Sequence, residues 1–193
     1  MRQDFINRQT GETRISVNLN LDGTGSFDGS SGVGFFDHML NSFSVHGGFD
    51  LVLSAKGDLN VDCHHTIEDI GIVLGQAFRG ALGDKAGITR FGTALIPMDE
   101  SLAQAAVDIS GRPYLVFNAK FPEERVGEMD TCMVVEFFRA FAFNAGITLH
   151  LNLLYGDNSH HEIEAIFKAA AHALKTAVSI SGEEVLSTKG VLE

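Results

Sequence analysis

The sequence predicts an α+β fold made by internal duplication: two half-domains, each a roughly four-stranded sheet with helices packed on one face. Three observations carry that expectation. The string His64-His65-Thr66-Ile67-Glu68 returns as His160-His161-Glu162-Ile163-Glu164, 96 residues later in a chain of 193. At the same offset Ile70 matches Ile166 and Ala77 matches Ala173, while at an offset of 98 His38, Phe43 and Gly48 match Glu136, Phe141 and Gly146. Period-two stretches precede helical stretches in the same order in each half, the pattern of layered sheet and helix. The halves are expected at residues 1–86 and 87–193.

Each element has a local reason. Ile15, Val17, Leu19 and Leu21 alternate with polar residues, as in a half-buried strand. Asp22-Gly23 predicts a hairpin turn toward residues 24–28. A Gly/Ser stretch, 29–34, leads into a helix over 35–45, where Phe36, Met39, Leu40 and Phe43 recur at helical spacing and Gly47-Gly48 ends the run. A strand over 49–55 and a polar loop over 56–63 bring the chain to the first histidine pair, which opens a helix to about Leu82. In the second half, strands are expected over 88–94, 102–109 and 114–121, with a turn at 110–113. A helix over 129–145 packs through Phe137, Phe138 and Phe141 and stops at Gly146. A strand over 147–153 follows, and Asn158 or Ser159 caps the second histidine helix.

Bulk properties narrow the function. With 45% hydrophobic and 20% charged residues the chain can bury a substantial core. A net charge of −11 without a basic stripe argues against nucleic-acid partners. The N-terminus lacks the apolar core of a secretory signal, and no run approaches the ~18 apolar residues of a membrane span. Two cysteines make no disulfide framework, so a reducing, cytoplasmic location and a small-molecule substrate are expected.

Helix residues three or four apart share a face, so His64, His65 and Glu68 are expected to converge, as are His160, His161 and Glu164. Imidazole and carboxylate repeated in this way point to more than one divalent metal ion. Adding the matched His38 and Glu136 gives each half four candidate ligands. Cys63 reads as a thiolate ligand or, more commonly for such a residue, a small apolar filler. His46 reads as a helix-end residue, His150 as a surface position, and His172 as lying two turns beyond the ligand face. Arg90, Arg112, Lys168 and the polar cluster with Ser187 and Lys189 are candidates to hold an anionic group through charge-assisted hydrogen bonds.

These residues lie in recognisable stretches: Leu21-Asp22-Gly23-Thr24-Gly25, Phe36-Asp37-His38-Met39-Leu40, Asp62-Cys63-His64-His65-Thr66-Ile67-Glu68-Asp69, Pro97-Met98-Asp99-Glu100-Ser101-Leu102, Asn158-Ser159-His160-His161-Glu162-Ile163-Glu164-Ala165 and Ser187-Thr188-Lys189-Gly190-Val191-Leu192. Through them the chain resembles the monofunctional imidazoleglycerol-phosphate dehydratase family of histidine biosynthesis. The resemblance implies two divalent metal ions per site, most often manganese, held by His38, His64, His65, Glu68, Glu136, His160, His161 and Glu164. Some relatives carry histidine where this chain has Glu136. It implies that Arg90, Arg112, Lys168, Ser187 and Lys189 hold the phosphate. Glu12 matches a position beside the substrate, suited to proton transfer or hydroxyl contact, so that Glu12, His65, Glu68, His161 and Glu164 form the implied catalytic set. It also implies an octahedral homo-oligomer of about two dozen subunits with sites between subunits. The implied reaction removes water from D-erythro-imidazoleglycerol phosphate to give imidazoleacetol phosphate. It passes through a metal-bound imidazolate and a diazafulvene, because no carbonyl acidifies the C–H that must break. A metal-dependent hydrolase and a metal-storage shell are the rival readings.

Overall fold

The computed structural model describes residues 1–192. The first half runs β1 (Gln3–Gln9), β2 (Thr13–Asn20), β3 (Phe27–Ser30), α1 (Gly34–Gly47), β4 (Asp50–Gly57) and α2 (His64–Leu82). The second runs β5 (Phe91–Met98), β6 (Ser101–Asp108), β7 (Tyr114–Asn118), a small hairpin of β8 (Arg125–Val126) and β9 (Met129–Asp130), α3 (Met133–Ala145), β10 (Thr148–Tyr155) and α4 (Ser159–Val178).

The two four-stranded sheets have orders β1-β2-β4-β3 and β5-β6-β10-β7. In each, the first two pairings are antiparallel and the last is parallel. The duplication is therefore one of topology as well as of motif.

Alternation sets the inner faces. β2 buries Ile15, Val17 and Leu19, and β6 buries Ala103, Ala105 and Val107. α2 packs on β1 and β2, and α4 packs on β5 and β6. The helices of one half then pack on those of the other, α2 on α3 and α1 on α4. Aromatic rings close this seam edge to face: Phe36 against Phe137 at 5.2 Å and Phe78 against Phe141 at 5.4 Å. Gly71 and Gly75 let α2 approach α3, since an added Cβ would lie 2.7 Å from the Phe137 carbonyl oxygen and 2.6 Å from that of Phe141.

Several expected elements shift. Asp22-Gly23 does not join a hairpin, because β4 lies between β2 and β3 and pairs with both. The loop is gathered instead on Asp50, whose Oδ1 accepts from the backbone N–H groups of Thr24 (2.8 Å), Ser26 (3.1 Å) and Gly25 (3.2 Å). Those donors, Thr24 and Ser26 foremost, hold the Asp50 carboxyl at about 2.

The strand expected over 88–94 begins only at Phe91, because Arg90 adopts φ 70°, outside strand geometry. It then continues through Pro97, which an edge strand tolerates. The helix expected from residue 129 starts at Met133, since Met129 and Asp130 pair with Val126 and Arg125 around Gly127 (φ 58°). The strand expected over 114–121 ends at Asn118, its last partner on β10. β1 was not expected: it is an edge strand without a fully buried residue and carries no clear apolar period.

Candidate functional site

The first turn of α4 is fixed by Asn158, whose side-chain oxygen accepts from the backbone N–H groups of His160 (3.0 Å) and His161 (3.3 Å). Consecutive helical residues do not face one another, so the two imidazoles part. His160 Nε2 lies 3.4 Å from Glu164 Oε2, and His38 Nε2, delivered by α1, lies 3.3 Å from the same oxygen. The donor atoms of these three residues all fall within 4.8 Å of one another. Burial pushes the Glu164 carboxyl up, but Lys168, donating to Oε1 at 2.7 Å, and His38 together hold it below its ordinary range. An ionised, buried carboxylate facing two imidazole nitrogens is a donor set that fits a divalent cation.

His161 turns to the β5–β6 turn. Its Nδ1 lies 2.8 Å from Glu100 Oε2 and its Nε2 3.7 Å from Asp99 Oδ2, and these three residues form a second close group of donors. The His161 hydrogen bond holds the Glu100 carboxyl at about 2, and Glu100 in turn raises the affinity of His161 for its proton.

The first half repeats this division. His64 Nε2 lies 3.3 Å from Glu68 Oε2, along the face of α2. His65 Nδ1 lies 3.0 Å from Asp58 Oδ2 and its Nε2 3.7 Å from Glu12 Oε1. Asp58 raises His65 as Glu100 raises His161. Glu136, on α3, is paired with Arg139 and belongs to no close donor group among the described residues.

Two expectations are thereby corrected. The two histidines and the glutamate of each helix do not converge: one histidine joins the glutamate, and its neighbour faces a different carboxylate pair. Nor does His38 join the first-half donors, because α1 packs on α4 and delivers it to His160 and Glu164. Cys63 is buried among core residues and reads as filler.

Arg90, Arg112, Ser187, Thr188 and Lys189 line one cleft of about 450 Å³, with Val191 and Leu192. Arg90 donates from Nε and Nη2 to Asp108 (2.7 and 3.1 Å) and from Nη1 to the Leu186 carbonyl (2.7 Å). Arg112 lies 3.7 Å from Asp108 and is largely exposed. Buried Lys85 donates to the Leu192 carbonyl at 2.6 Å, securing the tail that walls the cleft. Lys168 stands apart from this group, beside Glu164 and Met98.

His46 Nδ1 and His172 Nε2 meet at 3.2 Å across the α1–α4 seam, and burial lowers both imidazoles. His150 is exposed on β10. Asp58, Asp99 and Glu100 went unassigned from sequence, although Asp99-Glu100 lies in a motif stretch and Asp58 in the loop leading to the first histidine pair.

A family profile described as imidazoleglycerol-phosphate dehydratase matches residues 31–174. Similar proteins carrying that name include one from Gluconobacter oxydans, 60% identical over 194 residues (99% of this chain, 98% of the relative). Another, from Acetivibrio thermocellus, is 58% identical over 193 residues and 99% of each chain. Among solved structures, the imidazoleglycerol-phosphate dehydratase of Staphylococcus aureus superposes with a TM-score of 0.83 at 46% identity, covering 92% of this chain and all of that one. The Pyrococcus furiosus IGPD in complex with (S)-C348 gives 0.84 at 36% identity, covering 97% and 100%. The chain belongs to the imidazoleglycerol-phosphate dehydratase family.

Proposed function

We propose that this chain dehydrates D-erythro-imidazoleglycerol phosphate to imidazoleacetol phosphate in histidine biosynthesis, as a metal-dependent hydro-lyase of the cytoplasm. No helix among the described residues is long and apolar enough to cross a membrane. The observation that carries the reading is the convergence of His38, His160 and Glu164 within 4.8 Å, set beside the matched pair of His64 and Glu68, 3.3 Å apart. His38, His64, His65, Glu68, Glu136, His160, His161 and Glu164 would hold two divalent ions, Mn²⁺ the expected metal. When bound, the ions would supply Lewis acidity to the azole ring of the substrate.

The chain's own groups divide the remaining work. Arg90, Arg112, Ser187 and Lys189 hold the phosphate ester in their cleft, whereas Lys168, expected to share that role, is engaged with Glu164 and Met98 in the single chain. Glu12, 3.7 Å from His65 Nε2, contacts the departing hydroxyl or moves a proton at the neighbouring carbon. The dehydration balances as hydroxide lost from the ring-attached carbon and a proton lost from its neighbour, the resulting enol passing to the ketone; bound ions would favour the ring's ionisation.

Only three of the eight proposed ligands, His38, His160 and Glu164, gather in one close group among the described residues, and His65 and His161 lie apart from it beside Asp58 and Glu100. This supports sites completed by another subunit in a large homo-oligomer, the octahedral assembly of about two dozen copies being the expected form.

The test is to follow imidazoleacetol phosphate and inorganic phosphate together with loaded protein. The proposal expects the ketone with the phosphate ester intact. Phosphate release without ketone would indicate a hydrolase, and tight metal binding with neither product a storage protein.

A further inference from the structure

We infer that Asp58 and Glu100 are positioning residues that fix the tautomer and ring direction of His65 and His161, leaving Nε2 of each as the metal-binding nitrogen. The inference rests on the metal reading above and goes beyond it by assigning two residues outside the eight ligands.

An ionised carboxylate only accepts hydrogen bonds, so Nδ1 must carry the hydrogen in both contacts, His65 to Asp58 at 3.0 Å and His161 to Glu100 at 2.8 Å. A neutral imidazole with Nδ1–H has its lone pair on Nε2. That nitrogen lies 3.7 Å from Glu12 in His65 and 3.7 Å from Asp99 in His161.

The two anchors have different origins. Glu100 sits on the β5–β6 turn and is itself steadied by the Ser101 hydroxyl, which donates to Oε1 at 2.9 Å. Asp58 follows β4 directly. The same geometry thus recurs from unrelated loop positions, which simple copying of one half would not produce. A carboxylate behind a ligating histidine orients the ring and increases its basicity.

The experiment compares wild type with Asp58→Ala, Glu100→Ala and Glu100→Gln. Divalent metal affinity is read by chelator competition on the loaded protein, and imidazole tautomers by magic-angle-spinning ¹⁵N NMR after chelation, at a pH where the rings are neutral. Each alanine variant should lose roughly 10–100-fold in metal affinity and convert its histidine from the Nδ1–H to the Nε2–H form. Glu100→Gln, whose amide oxygen still accepts from Nδ1–H, should recover most of the affinity and the original tautomer. Alanine variants with unchanged affinity, or wild-type rings found as Nε2–H, overturn the inference while leaving the metal reading intact. A wild-type protein that takes up no divalent ion overturns both.

Discussion

The two histidine helices leave equivalent places in equivalent sheets yet enter different surroundings. Glu164 is nearly buried, faces two imidazoles and receives the Lys168 ammonium, whereas the Glu68 side chain is 43% exposed and is paired with His64. At the 96-residue offset Lys168 corresponds to Ile72. The anion cleft is equally one-sided, since Arg90, Arg112, Ser187 and Lys189 all belong to the second half. Arg2, which precedes β1 as Arg90 precedes β5, is committed to Asp22 and the Val178 carbonyl. The tail after α4 has no first-half counterpart, because the chain after α2 goes on to β5. Duplication leaves an imidazole–carboxylate pair at matched places on both helices, His64 with Glu68 and His160 with Glu164. The cations without a counterpart lie in the second half alone.

The largest expected effect comes from breaking either donor set. On the proposed function, in which the ions would act as Lewis acids, His160→Ala and His64→Ala should each abolish turnover and remove about half the bound metal in elemental analysis. Full activity in one of them would show that only the other set matters. Next in size, Arg112→Ala should raise KM by roughly 10–100-fold with kcat little changed, the loss of one charge-assisted hydrogen bond. Arg2→Ala should leave KM unchanged, and an equal rise in both would erase the asymmetry.

At the seam, Gly75→Ala should cost about 1–3 kcal/mol in denaturant unfolding, because the added methyl meets backbone rather than a yielding side chain. Gly34→Ala, with nothing within 4 Å of the new Cβ, should be close to neutral.

The smallest effect separates the two loop anchors at equivalent strand starts, Asp50 and Thr148. Thr148 donates one hydrogen bond, to the Arg112 carbonyl at 3.1 Å, where Asp50 collects three backbone N–H groups. Asp50 has a folded-state value of about 2, depressed below the roughly 3.9 of an unfolded aspartate. Its stabilisation is therefore present above pH ~4 and lost as pH falls through about 2. Asp50→Ala should lower Tm at pH 7 more than Thr148→Ala, and the difference should close by pH 2.

The fold class and most helices were legible because buried faces are periodic: Phe36, Met39, Leu40 and Phe43, or Ile15, Val17 and Leu19, leave little choice. β1 was illegible because an edge strand with no fully buried face has no such period. The Asp22-Gly23 turn misled because a local signal cannot show that β4 inserts between β2 and β3. At the site, spacing named the donors but not their partners. His38 reaches Glu164 only because α1 crosses to α4, and Glu136 remains with Arg139 within the single chain. Asp58 and Glu100 lay in the sequence beside named motifs, but the Nδ1 contacts that give them a role exist only in three dimensions.

On the proposed function, each of the two donor sets would hold its own ion. Elemental analysis of the purified, assembled protein, with subunit concentration measured independently, tests this most directly. Two equivalents of divalent metal per chain, falling to one in His160→Ala, is the predicted result. Wild-type protein that turns over substrate with one equivalent, or with none after exhaustive chelation, would contradict it.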